Sequence, residues 1–138
     1  MHPVRGFAPG PLLVVVSVAL ASPLHGQTAS AAGWQGSPAS LLKDTLRGVA
    51  AAQARYYAAN RTYAPSAERL ELKPESGVRI QILGASAKGW QAKATSLDQP
   101  GRSCVIFTGS LTGAEAPRTD GDHEMAGEEG VPLCDWMR

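Results

Sequence analysis

The chain has 138 residues, of which 43% are hydrophobic and 18% are charged, and its net charge is +1. These values are typical of one folded domain with short attachments, and they exclude a chain that stays disordered. The near-neutral charge, without any run of lysine and arginine, gives no indication of nucleic-acid binding.

The first 26 residues are predicted to be a signal peptide that is cleaved. His2 and Arg5 make the start weakly basic, residues 12–20 are apolar, and Ala19-Leu20-Ala21 fits a small-residue cleavage pattern; cleavage after residue 26 is an alternative. The apolar stretch has about 10 residues, whereas a helix across a bilayer needs about 20. We therefore expect a periplasmic or extracellular protein with no stable membrane span after cleavage, and a flexible lead-in over residues 27–37.

Residues 38–60 are predicted to form one long amphipathic helix, the N-terminal element of a domain that spans residues 38–138. Apolar side chains recur in this stretch at steps of three and four residues, which is the helical period. Alanine, the best helix former, is also frequent there. The apolar stripe consists of Leu42, Leu46, Val49 and Tyr56, with Gln53 as a polar interruption.

Local sequence features predict where this helix begins and ends. Ser37 or Ser40 is expected to cap the start, and Pro38 suits the first turn. Asn60 tolerates the left-handed conformation and is expected to end the helix. Gly48, in the middle, costs about 1 kcal/mol relative to alanine and suggests that another element approaches closely there.

Three strand patterns follow the helix. The first two alternate apolar and polar residues, and the third, at residues 103–108, is apolar on both sides and so is expected to be central or covered. Short connections between them favour an antiparallel meander. The predicted fold class is therefore α+β, with the helix packed on a three- to four-stranded antiparallel sheet. The alternating apolar positions are Val78, Ile80 and Ile82, then Trp90, Ala92 and Ala94.

The stretch at residues 109–130 is rich in glycine, carries six acidic residues against one arginine, and is predicted to be a long surface loop. Cys104 and Cys134, the only two cysteines, flank it. In an exported protein such a pair is expected to form a disulfide, which would close the C-terminal loop. A zinc site would need more ligands, and a redox pair would be expected at C-x-x-C spacing.

In the order and spacing of these features, residues 41–135 resemble the periplasmic part of type IV pilins and type II secretion pseudopilins. Four features carry the resemblance: the aromatic helix end Arg55–Tyr63, the short Leu70-Glu71-Leu72 element, the strand pair that begins at Gly77 and Gly89, and a third-strand cysteine closed onto a C-terminal one. The resemblance implies an α+β fold, a disulfide-bounded variable loop and no catalysis. The N-terminus differs from that family, because Arg5-Gly6-Phe7 precedes prolines and a short apolar stretch instead of a long apolar helix.

The acidic loop at residues 115–129 contains the best candidate site. Asp120-Gly121-Asp122-His123-Glu124 places carboxylates at alternate positions around a glycine, and such oxygens suit calcium, as in some pseudopilins; a solvated acidic loop is the competing interpretation. His123 has no evident nucleophile or orienting partner, and the adjacent Glu128 and Glu129 diverge, so no catalytic residue is predicted.

The function predicted from the sequence is that of an exported, non-enzymatic, pilin-like structural or interaction domain of the cell envelope. Its expected partner is an envelope or secreted protein, and no metal or cofactor is assigned. Two alternatives stay open. One is a secreted calcium- or small-ligand-binding module that uses the loop at residues 115–129, and the other is a minor pilin with a degenerate processing motif.

Overall fold

The computed structural model describes residue 10 and residues 36–137. The predicted signal peptide and most of the predicted lead-in lie outside this part of the chain. Five elements of regular structure follow one another there, interrupted by a short 3₁₀ turn at Glu68–Leu70: α1 (Pro38–Asn60), β1 (Val78–Ala85), β2 (Gly89–Ser96), β3 (Ser103–Gly109) and β4 (Leu133–Cys134). None of the helices in the described ranges combines the length and apolar character that crossing a bilayer requires.

The α1 helix begins and ends through local hydrogen bonds. Ser37 is the cap residue, and its hydroxyl accepts a hydrogen bond from the Ser40 backbone N–H at 3.2 Å, while Pro38 occupies the first turn as predicted. At the other end Arg61, rather than Asn60, adopts the left-handed conformation with a φ of 58°. Asn60 is the last helical residue, and its side-chain amide donates to the Tyr56 carbonyl. The helix spans residues 38–60, as predicted; it is the first element of the described residues 36–137 and does not lie at the N-terminus of the chain.

The four strands form one antiparallel sheet in the order β1-β2-β3-β4. Consecutive strands pair throughout, so the sheet is the predicted meander extended by the two-residue strand β4. The register places Ala92 opposite Ile106 and Ala94 opposite Cys104, which brings small and large apolar residues together on one face. The α+β class and the antiparallel sheet predicted from the sequence are confirmed.

Helix and sheet share one buried core. Leu42, Leu46 and Val49 are fully buried, and they belong to the same cluster as residues from three strands. Trp90 is the largest buried side chain in the described part of the chain. Burying an apolar side chain of this kind contributes about 1.5–3 kcal/mol, so the cluster is the main source of stability. Its strand members are Val78, Trp90, Ala92, Ala94, Cys104 and Ile106.

The polar residue in the helical stripe, Gln53, is fully buried and satisfied. Its side-chain amide donates to the Ala64 carbonyl at 2.9 Å, and its side-chain oxygen accepts from the Ala64 N–H at 2.8 Å. Ala64 is a buried loop residue whose backbone has no partner in a helix or strand, and these two bonds satisfy its N–H and its carbonyl. Gln53 therefore fastens the chain after the helix back onto the core.

The prediction that another element approaches Gly48 closely is wrong. A Cβ at this position would have open space around it among the described residues, and Gly48 is exposed. Gly48→Ala should therefore raise the free energy of unfolding by about 1 kcal/mol, because alanine loses less conformational freedom in a helix. Urea unfolding followed by circular dichroism measures this. A loss of stability would show that the helix face at Gly48 is covered in solution.

Candidate functional site

Cys104 and Cys134 form the predicted disulfide, which joins β3 to β4. The two residues are directly opposite each other in the antiparallel pair, with 4.0 Å between their Cα atoms. Cys104 is fully buried against the helix-side core. The disulfide therefore anchors both ends of the intervening loop at one place in the sheet.

A small hairpin lies within the disulfide-closed loop. The Ala126 N–H donates to the Pro117 carbonyl, the Thr119 N–H donates to the Glu124 carbonyl, and Arg118 bridges to Met125. The turn of this hairpin, residues 120–123, closes with His123 in the left-handed conformation. We call residues 117–126 the loop hairpin. Its presence means that the predicted irregular loop has a defined backbone.

The loop hairpin and its neighbours are attached to the sheet face that the helix leaves uncovered. Gln91 and Lys93 alternate along β2 with the core residues and so project to this face. Gln91 donates to the Glu115 carbonyl at 2.7 Å, and the Lys93 ammonium pairs with Asp120 at 2.5 Å. Val105 of β3 is fully buried although it does not belong to the helix-side cluster. The loop thus forms a third layer over the sheet.

The later part of the loop is attached to β3. The Gly130 N–H donates to the Phe107 carbonyl at 2.8 Å, and the Gly109 N–H donates to the Glu129 carboxylate. Because Gly109 ends β3 and Glu129 lies just before the return to β4, this contact joins the exit of the loop to its entry.

The centre of the attachment is Asp135, which is 2% exposed. Its Oδ2 accepts hydrogen bonds of 2.8 Å from the backbone N–H groups of Ser103 and Gly121, and its Oδ1 accepts one of 2.7 Å from the Asp122 N–H. The Thr119 hydroxyl donates to the same carboxylate. One side chain therefore connects the start of β3, the turn of the loop hairpin and the C-terminal segment.

These contacts lower the pKa of Asp135 below its ordinary value. Burial is the largest single influence and acts in the opposite direction, because it disfavours the charged form. The hydrogen bonds from the Thr119 side chain and from the backbone of Asp122, Gly121 and Ser103 favour the carboxylate, and together they outweigh the burial. Asp135 is therefore ionised at neutral pH.

Asp122 extends the same network outward. Its Oδ1 pairs with Arg102 Nη1 at 2.7 Å, and its Oδ2 accepts from the Trp136 backbone N–H at 2.8 Å. Asp120 accepts a hydrogen bond from Lys93, which projects from β2. Asp122 accepts one from Arg102, which directly precedes β3.

Two carboxylates of the candidate calcium motif therefore pair with basic side chains of the protein itself. Asp120 and Asp122 engage Lys93 and Arg102, while Glu124 is exposed. Within residues 36–137 no group of three or more acidic, histidine or cysteine residues has the arrangement that could hold a metal ion. Calcium binding by the loop stays a prediction that the described geometry does not favour.

The other candidate residues of the loop are not brought together. His123 is exposed and its backbone carbonyl accepts a hydrogen bond of 3.2 Å from Arg118. Glu128 and Glu129 are both exposed, and the Glu129 carboxylate accepts a hydrogen bond from the Gly109 N–H. The site that the structure does assemble, around Asp135, was missed by sequence reasoning, since its hydrogen-bond partners lie 13 to 32 residues away in the chain.

No family model matches the chain, and a search of curated proteins finds no match either. A function for the chain has to be inferred from its own residues.

Proposed function

We propose that the chain is an exported, non-enzymatic, pilin-like domain that binds a protein partner at the cell envelope or outside the cell. The observation that carries the proposal is the construction of the loop between β3 and β4, residues 110–132. A disulfide anchors its ends, and a buried carboxylate holds its hairpin against the sheet. In this proposal the loop is the surface that the partner recognises.

Two features support the pilin-like and exported parts of the proposal. The helix precedes an antiparallel meander whose third strand is joined by a disulfide to a C-terminal strand, which is the arrangement that the resemblance implies. A disulfide forms and persists in oxidising compartments, which suits an exported protein. We propose further that the helix packs as it does in pilins and that the protein acts at the cell envelope.

The fixed loop suits protein recognition on physical grounds. Ordering a mobile loop at an interface costs free energy, and a loop that is already held in place avoids much of that cost. Met125 and Val131 are 47% and 45% exposed, although each is a large apolar residue. Two exposed acidic residues, Glu124 and Glu128, lie within three residues of Met125 in sequence. Apolar anchors with acidic neighbours favour a partner surface that is apolar at its centre and basic at its rim.

Site-specific photocrosslinking in the producing cells tests this surface. A benzophenone amino acid at position 125 is expected to give a covalent adduct of one defined size, which Val131→Glu should weaken. The matched control is the same crosslinker at Leu83, an exposed apolar residue of β1 outside the loop. Equal adducts from both positions, or none from position 125, would contradict the proposed binding surface.

The mass of the mature protein tests the exported part separately. A mature N-terminus near Ser22 or Gln27 is expected, because the proposal includes cleavage of a signal peptide. A mature N-terminus at Phe7 would instead support the minor-pilin alternative. An uncleaved chain recovered from cells would exclude export through a signal peptide.

A further inference from the structure

The α1 helix presents a second face, on the side away from the core. Its residues follow one another at steps of three and four, so they lie along one side of the helix, and all of them are exposed. We call this side the outer helix face. It consists of Asp44, Arg47, Gly48, Ala51, Arg55 and Ala58.

The outer helix face belongs to a basic part of the chain. Residues 38–61 contain four basic side chains against one acidic side chain. Asp44 pairs with Arg47 at 2.6 Å, whereas no ion pair among the described residues involves Arg55. The exposed guanidinium of Arg55 can therefore pair with an acidic group on another molecule.

The loop on the other side of the sheet has the opposite charge. Residues 110–132 contain six acidic side chains against one basic side chain. Glu124 and Glu128 are exposed, and neither takes part in an ion pair within residues 36–137. The net charge of the whole chain is only +1, so positive and negative charge are separated between two faces of one nearly neutral protein.

We propose that the loop of one copy of this protein binds the outer helix face of a second copy. The proposal rests on the proposed function, because it uses the loop surface around Met125 and Val131 and names what binds there. That surface favours a partner that is apolar at its centre and basic at its rim. The outer helix face has Ala51 at its centre, with Arg47 one turn before it and Arg55 one turn after it.

The positions of the two faces determine how copies associate. The helix packs on one side of the sheet and the loop on the other, so the two faces point away from each other. A contact between them is heterologous, because it uses a different surface on each copy, and a two-fold axis cannot generate it. Every bound pair keeps one free helix face and one free loop, to which further copies can bind. A net charge close to zero leaves little overall repulsion to oppose this association.

Sedimentation velocity of the oxidised protein, purified from its producing cells, measures the association. The weight-average mass is expected to rise with concentration from about 10 µM to about 1 mM, without stopping at two copies. The association constant should fall by about tenfold or more when the salt concentration rises from about 0.02 M to about 0.5 M, because salt screens exposed charges.

Two variants, each blocked on one face, give the sharpest test. Ala51→Glu places an acid at the centre of the outer helix face, and Met125→Glu places one on the loop; both positions are exposed, so the core is unchanged. Each variant alone should remain monomeric over the same concentration range. An equimolar mixture should form a complex of one copy of each and nothing larger, because the loop of the first variant and the helix face of the second are intact.

The matched control is Leu97→Glu, which adds the same charge at an exposed apolar residue outside both faces and should associate like wild type. Recovery of the complex in the mixture would also show that both blocked variants are folded. Wild type that stays monomeric over the whole range at low salt would overturn the proposal, and so would a mixture that forms no complex.

The photocrosslink at position 125 separates this proposal from the proposed function. A covalent adduct with the mass of two chains, attached to a residue of α1 in the second copy, supports self-association. An adduct with a different protein overturns self-association and leaves the loop as the surface that binds a partner.

Discussion

Replacing Asp135 by asparagine is expected to lower the free energy of unfolding by about 2–4 kcal/mol at neutral pH, since buried donors lose a charged acceptor. Both carboxylate oxygens accept backbone N–H groups, Oδ2 from Ser103 and Gly121 and Oδ1 from Asp122. An asparagine must therefore point its NH₂ group at one of these donors, whichever way it is oriented. Urea unfolding monitored by circular dichroism measures the difference.

The loss of unfolding free energy in Asp135→Asn should become smaller as the pH falls. The pKa of Asp135 is lowered in the folded state, so the carboxylate contributes stability that is fully present above its unfolded pKa of about 3.9 and disappears as pH falls through the folded value. The difference between wild type and Asp135→Asn should thus be constant from neutral pH down to about pH 5 and shrink below about pH 4.

An exposed acid of the loop that Asp135 holds provides the control for Asp135. Glu128→Gln changes the net charge of the protein by the same amount as Asp135→Asn, but Glu128 is exposed. Its effect is expected within about 0.5 kcal/mol. If the two variants had equal effects, or if the Asp135→Asn difference grew at acid pH, the loop would not be held by the buried carboxylate.

Removing the disulfide by the paired substitution Cys104→Ala and Cys134→Ala should lower the free energy of unfolding by about 3.5–4 kcal/mol. The cysteines are 30 residues apart, and the cross-link restricts the unfolded chain over that length. The slope of stability against urea should rise in the variant, because an unfolded chain without the cross-link exposes more surface.

Reduction of the wild-type protein provides a second measurement of the same quantity. Wild type in a reducing agent should match the double variant to within about 0.5 kcal/mol, apart from the small packing change at the buried Cys104. A loss below about 1 kcal/mol in both would mean that contacts such as those of Asp135 hold the loop without the cross-link.

The parts of the fold that the sequence predicted are those encoded in local patterns. The alternation at Val78, Ile80 and Ile82 marks β1, and the helical spacing of Leu42, Leu46 and Val49 marks the buried face of α1. Ser37 caps the helix because a hydroxyl there reaches a backbone N–H three residues on. The disulfide was predicted from the even number of cysteines together with the predicted export of the chain.

The parts that could not be predicted depend on contacts between distant residues. Nothing next to Gln53 in sequence shows that it bonds to Ala64, so the residue reads only as a polar interruption of an apolar stripe. In the sequence Asp120 and Asp122 resemble calcium ligands, but in the structure they pair with Lys93 and Arg102, which are distant in the chain. The helix ends at Asn60 as predicted, but the left-handed residue is Arg61, since either residue can adopt that conformation at a helix end.

The position of the loop opposite the helix separates the outer surface of the hairpin from the helix-side core. Substitutions at the outward residues of the hairpin, such as Met125, leave the cluster around Trp90 untouched, since the sheet lies between them. The exterior of the hairpin can therefore be redesigned to bind a chosen target, provided that Asp135 and the cysteine pair stay, while the helix and strands remain unchanged.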